Sequence, residues 1–300
     1  QGSVPSYTTA PVSEWLGSHV YAALGIPVHE TVLGIRDGRI VCACRDFTFP
    51  DSRLVNFHDL KNSLSDDEPG FTEDASTGSG VVLADVRSAI HRIPVLRSID
   101  GVSDRFWDMF VVDAFIRNID RNNTNWGVLR NPRGEFSLAP VYDNGNSFNN
   151  KRTESGIERR RSNPDLIRQD ALDVRSCYVT DRGKPIAPLK YLASGQDEEC
   201  TKALDRFMER YDPRSFHDLL DSIPSMSHGL TVVPDGFHEY HRRVCDYRYE
   251  HAFMEAWRDL HPTVGVPSSP EASVPEPLPD PDPSVLPSSS VPTCFDGPGM

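Results

Sequence analysis

Three oxygen-bearing side chains suited to one reaction lie near the middle of this 300-residue chain. Asp120 and Asn125 stand five positions apart in Asp120-Arg121-Asn122-Asn123-Thr124-Asn125, and Asp143 follows one hairpin later in Val141-Tyr142-Asp143-Asn144-Gly145. Two carboxylates and an amide in that layout fit phosphoryl transfer. One carboxylate orients and deprotonates an attacking hydroxyl, while the amide oxygen and the second carboxylate hold Mg²⁺ against nucleotide phosphates. Magnesium favours such hard oxygen ligands. Asp and Asn also cap helices and close turns, so the Asp-x4-Asn pair alone leaves both readings open; the second acid, placed one hairpin later, favours the chemical one.

A catalytic loop needs a rigid mount. Residues 104–119 are apolar almost all round, with Phe106, Trp107, Met109, Phe110, Val111, Val112, Phe115 and Ile116, and this predicts a buried central helix ending near Asn118. Residues 126–130 and 135–142 are expected as a hairpin closed by Asn131-Pro132-Arg133-Gly134, with Gly145 turning the chain past Asp143. Upstream, Ser13 is expected to cap a helix that carries Trp15, Leu16, Val20, Ala23 and Leu24 and ends at Gly25. Glu14 then sits in the first turn, where the helix dipole favours a carboxylate. Residues 28–35 and 39–44 read as strands joined by Asp37-Gly38. The second is apolar on both faces, as in a central strand, and delivers Arg45-Asp46-Phe47 to the edge of the predicted cleft.

Several of these segments, taken in order, resemble one family: Ser13-Glu14-Trp15-Leu16, Leu24-Gly25-Ile26-Pro27-Val28-His29-Glu30-Thr31, Val41-Cys42-Ala43-Cys44-Arg45-Asp46-Phe47, Phe106-Trp107-Asp108-Met109-Phe110-Val111, and the Asp120 and Asp143 loops. The chain is similar, over residues 13–261, to the HipA-like protein kinases, and most to their CtkA branch. The resemblance implies an α+β, two-lobed protein-kinase-like fold. Residues 1–47 would be a truncated N-lobe and hinge, and residues 48–261 a mostly helical C-lobe. It implies ATP and Mg²⁺ as cofactors and transfer to a Ser or Thr of a protein substrate. Asp120 would be the catalytic base, Asn125 and Asp143 the metal ligands, the backbone of Arg45, Asp46 and Phe47 the adenine hinge, and Glu14 the partner of a phosphate-binding lysine.

Two departures stand out. Asn122 occupies a position where the family usually carries His. Residues 1–12 contain no Lys or Arg and one glycine, Gly2, so the expectation is that the first strands of the N-lobe are missing and that the chain as given is silent or nearly so. A pseudokinase or nucleotide-binding regulatory module therefore stays open. So does a lipid or small-molecule kinase, since inositide kinases use a similar acid layout.

The net charge of −13 argues against a phosphate-backbone binder, so no nucleic-acid partner is expected. No apolar run approaches the roughly 20 residues of a membrane span, and no leader is visible. Cys42 and Cys44 share one face of their strand and are expected as reduced core residues, which favours a cytoplasmic protein. Lys151-Arg152 and Arg159-Arg160-Arg161 form a basic stretch, read as a solvated face or as a dock for phosphate or an acidic substrate. It holds Thr153, Ser155 and Ser162 as candidate autophosphorylation sites. His238, His241 and Cys245 fall on one face of a long helix expected over residues 237–260; with no fourth ligand placed nearby, they read as a polar surface stripe rather than a zinc site. Residues 65–79 are a Gly/Ser/acid-rich excursion, and residues 262–300, with eleven prolines, form a tail expected to be disordered.

Overall fold

The computed structural model describes residues 8–65 and 80–262. The lead-in over residues 1–7, nearly all of the excursion at 65–79 and the tail beyond Pro262 lie outside the described residues. Helix α1 (Ala10–Ala23) is followed by strands β1 (Thr31–Arg36), β2 (Arg39–Cys44) and β3 (Arg53–Asn56), then by α2 (Phe57–Ser65). Strand β4 (Val81–Val82) opens a largely helical part with α3 (Leu83–Arg92), α4 (Pro94–Arg97) and α5 (Val102–Ile116). Strands β5 (Gly127–Arg130) and β6 (Phe136–Leu138) precede α6 (Glu154–Arg161), α7 (Pro164–Leu172), β7 (Tyr178–Val179), α8 (Pro188–Ser194), α9 (Glu198–Arg210) and α10 (Pro213–Asp221). A small hairpin, β8 (Met226–Ser227) and β9 (Leu230–Thr231), leads to α11 (Phe237–Arg248). Where one long helix is expected, a π-turn at Tyr249–Phe253 divides α11 from α12 (Met254–Leu260).

Helix α5 is the buried element its composition predicts. Phe106, Trp107, Val111, Phe115 and Ile116 are wholly enclosed, and the Phe115 ring meets those of Phe207, Tyr211, Phe216 and Phe253 at 4.7–5.7 Å. Burying each such side chain stabilises the fold by roughly 1.5–3 kcal/mol, so the loop that leaves α5 starts from a fixed point. The helix stops at Ile116, short of the expected end, because Arg117 adopts a left-handed conformation with φ 58°.

The Asp37-Gly38 turn is as expected. Both residues have positive φ, 51° and 69°, as a tight hairpin turn of this kind requires, and Arg36 pairs with Arg39. Strand β2 is not central, however: β1 is its sole partner among the described strands. The pair packs on α1, yet Cys42 is only half-buried and Cys44 is exposed, and neither is a core residue. The expected downstream hairpin gains a third strand, in the order β3-β5-β6. A Cβ on Gly127 would lie 2.2 Å from the Val55 carbonyl oxygen, so glycine alone lets β3 close on β5 there.

Other expectations are corrected by packing. Helix α1 begins three residues before Ser13, which is buried and donates its hydroxyl to the Ser147 carbonyl at 3.1 Å. Glu14 therefore lies in the second turn, away from the helix end. His241 and Cys245 are enclosed rather than a surface stripe, since α11 packs against α7. Part of the basic stretch is engaged within the fold: Arg152 and Arg160 reach Asp170 at 3.0 and 3.3 Å, and Arg161 pairs with Glu158 and Glu239, while Lys151 and Arg159 are exposed. Thr153 accepts the Gly156 N–H at 3.3 Å as the cap of α6. No helix among the described residues is long and apolar enough to cross a membrane.

Candidate active site

The loop after α5 is built around a buried arginine. Arg121, 2% exposed, donates from Nε to Asp113 Oδ2 at 2.8 Å and from Nη2 to Asp113 Oδ1 at 3.2 Å. The remaining N–H groups reach the Asn125 carbonyl at 3.0 Å, Asn144 Oδ1 at 2.6 Å and the Tyr142 carbonyl. Burial opposes the charge on Arg121, and Asp113, Tyr21 and Asp143 together outweigh it and hold the guanidinium charged. Asp113 also accepts from Tyr21 Oη at 2.8 Å and Asn118 Nδ2 at 3.2 Å. One guanidinium thus fixes α5, the Asp120–Asn125 loop and the Asp143 loop to one another. Sequence reasoning missed this pair. Its signal was Asp113, an acid within the apolar run Met109 to Ile116, which a buried position obliges to find a cationic partner.

Asp120 stands partly exposed at the rim of this network. Its Oδ1 accepts from Asn122 Nδ2 at 3.0 Å and its Oδ2 from Asn146 Nδ2 at 2.8 Å, so each carboxylate oxygen is oriented by an amide. Asn122 is itself fixed, accepting the Thr124 N–H at 2.9 Å and hydroxyl at 2.6 Å. Asn125 donates Nδ2 to the Asp120 carbonyl at 2.7 Å, while its Oδ1 lies 3.1 Å from the Thr124 hydroxyl, whose one proton goes to the nearer Asn122. An amide oxygen has two lone pairs, so Oδ1 keeps capacity for a cation.

Asp143 takes a left-handed conformation, φ 58°, which turns its exposed side chain out of the strand line. Burial of its surroundings pushes the carboxyl above its ordinary value; Arg121 works against this, and Glu14 and Asp120 add to it. A site that crowds carboxylates in this way fits a divalent cation with oxygen ligands. The raised value means that Asp143 holds its proton more tightly in the folded chain than in the unfolded one. Its stabilising effect is present below about pH 4 and is lost as pH rises through the raised value. Asp143→Asn is therefore expected to raise the melting temperature by about 1–2 °C at neutral pH after allowance for solvent screening. The gain should vanish in acid, and equal melting at both pH values would contradict it.

Glu14 reaches this loop from α1. Its Oε2 accepts the Asn144 N–H at 2.7 Å, and its Oε1 lies 2.7 Å from His29 Nε2. Histidine, not lysine, is its basic partner here. His29 is anchored in turn, its N–H donating to the Val141 carbonyl at 2.9 Å. Phe47 is also brought in, its ring 5.6 Å from Tyr142 and 6.4 Å from His29. The Arg45 and Asp46 side chains stay outside: Arg45 pairs with exposed Glu30 at 2.8 Å, and Asp46 closes a turn with Thr48. The Arg45 N–H donates to the Glu30 carbonyl at 2.9 Å.

No protein-family model matches the chain. It is similar to the serine/threonine-protein kinase CtkA of Helicobacter pylori (strain J99), with 34% identity over 224 residues, 74% of this chain and 66% of that kinase. The match thus spans just under two thirds of that relative. The crystal structure of the Helicobacter pylori proinflammatory kinase CtkA superimposes with a TM-score of 0.75 at 29% identity over 85% of each chain. The Shewanella oneidensis HipA, solved with HipB and operator DNA, gives a TM-score of 0.47 at 13% identity over 85% of this chain and 59% of that one. The kinase-like α+β fold expected from the sequence is borne out by the CtkA superposition.

Proposed function

Since this chain belongs to the HipA-like protein kinases, on their CtkA branch, we propose that it transfers the γ-phosphoryl group of ATP to a Ser or Thr hydroxyl of a protein. The observation that carries this reading is the junction at Arg121, which holds the Asp120–Asn125 and Asp143 loops together on one side of α5. Asp120 accepts the hydroxyl proton, its two oxygens held by Asn122 and Asn146 so that one lone pair can face the substrate. Here Asn122 does the orienting that a histidine would do elsewhere in the family. Asp143 and Asn125 are the residues that would hold Mg²⁺, which when bound neutralises phosphate charge. Arg45, Asp46 and Phe47 provide the backbone edge for adenine, and Glu14 keeps the Asp143 loop in place through Asn144. The nucleotide lies between the segment formed by α1, β1 and β2 and the helical remainder.

A second reading, a nucleotide-binding regulatory module without turnover, draws support from the His29 partner of Glu14. Calorimetry separates the layers of the proposal. ATP should bind at least several fold more tightly with Mg²⁺ than without, and Asp143→Ala or Asn125→Ala should remove most of that gain, since each deletes an oxygen from one ion. Indifference of the wild-type chain to Mg²⁺ would overturn the metal assignment. Acid-stable label on Ser or Thr after incubation with γ-labelled ATP marks the kinase; tight Mg²⁺-dependent binding with no label marks the regulatory module.

A further inference from the structure

Behind the Asp143 loop, α1, the approach to β1 and the end of β2 bring together donors unlike the hard oxygens of the magnesium site. Glu14, His29 and Cys44 each offer one ligand atom, and these atoms lie within 4.8 Å of one another. Donors on a tetrahedral zinc with bonds of about 2.0–2.3 Å stand roughly 3.3–3.8 Å apart, so small side-chain rotations would close the three around an ion. Cys42 lies two positions before Cys44, on the same face of β2. His29 is 7% exposed, its ring placed by Glu14 at 2.7 Å and Ser18 at 3.2 Å. The Cys44 thiol is exposed on the hairpin and lies against a carboxylate and an imidazole.

We propose that Glu14, His29 and Cys44, with Cys42 as the fourth donor, form a site for a thiophilic transition metal of the Zn²⁺ class. Thiolate and imidazole select such an ion over magnesium, and each thiol releases its proton to solvent on binding. Because Glu14 also holds the Asn144 N–H, an occupied site would be coupled to the Asp143 loop. That consequence rests on the kinase reading; the metal site does not.

The test uses the full chain, reduced and freed of metal, titrated with Co²⁺. A thiolate-to-cobalt charge-transfer band with intense tetrahedral visible bands is expected at one equivalent, displaced by Zn²⁺ and unaffected by excess Mg²⁺. Asp143→Ala should keep the band. Cys44→Ser should abolish it or weaken Zn²⁺ binding by at least ~10–100-fold, the loss that removing even an outer partner causes. Absence of the band, or its survival in Cys44→Ser, would overturn the proposal. Should that variant fail to fold, alkylation of the native chain decides: Zn²⁺ must slow labelling of Cys44 as read by peptide mass mapping, and equal labelling rejects the site. For the coupling, saturating Zn²⁺ should weaken ATP binding by about tenfold, within the usual range for linked sites. A chain that never binds ATP would sink the kinase reading and leave the cobalt result standing.

Discussion

Arg121→Met is expected to destabilise the fold by about 3–5 kcal/mol, the usual cost of leaving a buried charge without its partner. Asp113 would keep Tyr21 and Asn118 as donors but lose its counter-charge at 5% exposure. The carbonyls of Asn125 and Tyr142 and the Asn144 amide oxygen would also lose a donor. Denaturant unfolding measures the loss, and a change below about 1 kcal/mol would show that the network is not what holds the loops. The double variant Arg121→Met/Asp113→Leu should recover part of the stability, because the uncompensated carboxylate is gone. It should not recover phosphoryl transfer, since the Asn125 and Tyr142 carbonyls and the Asn144 amide oxygen still lack the donor that sets the spacing of the two loops.

In any active form of the protein, Asp120→Asn should lower phosphoryl transfer by roughly 10²–10⁴-fold, the usual contribution of a general base, with ATP affinity within a few fold of wild type. The base acts in the transition state, so its loss falls on turnover rather than on ground-state binding. The local bonding adds a second effect. Asp120 accepts from Asn146 on one oxygen and Asn122 on the other; an amide in its place presents an NH₂ group to one of those donors. Asn122 cannot turn to accommodate it without giving up Thr124, so Asn146 must flip. Turnover of the variant at the wild-type rate, measured with γ-labelled ATP, would remove Asp120 from the chemistry.

How far these features could be read in advance depends on the distance over which each is encoded. The Asp37-Gly38 turn, the end of α1 at Gly25, the buried α5 and the Asn131 to Gly134 turn are written within a few residues of themselves. Backbone preference and apolar period act at that range. The spacing of Asp120, Asn125 and Asp143 is likewise local, and it was enough to suggest the chemistry. Tertiary structure alone decided which groups those side chains meet. Glu14 finds Asn144 across 130 positions and His29 across 15, while Arg121 joins a helix acid to a hairpin loop. Strand β3 became the neighbour of β5 because Gly127 admits its backbone. The thiols of Cys42 and Cys44 are partly in water rather than in the core because the β1–β2 pair has no third strand beside it among the described strands. A pattern of residue types states which side of an element is apolar; which partner covers that side, and which charge lies opposite, is set when all the elements pack at once and each buried polar group must find its complement.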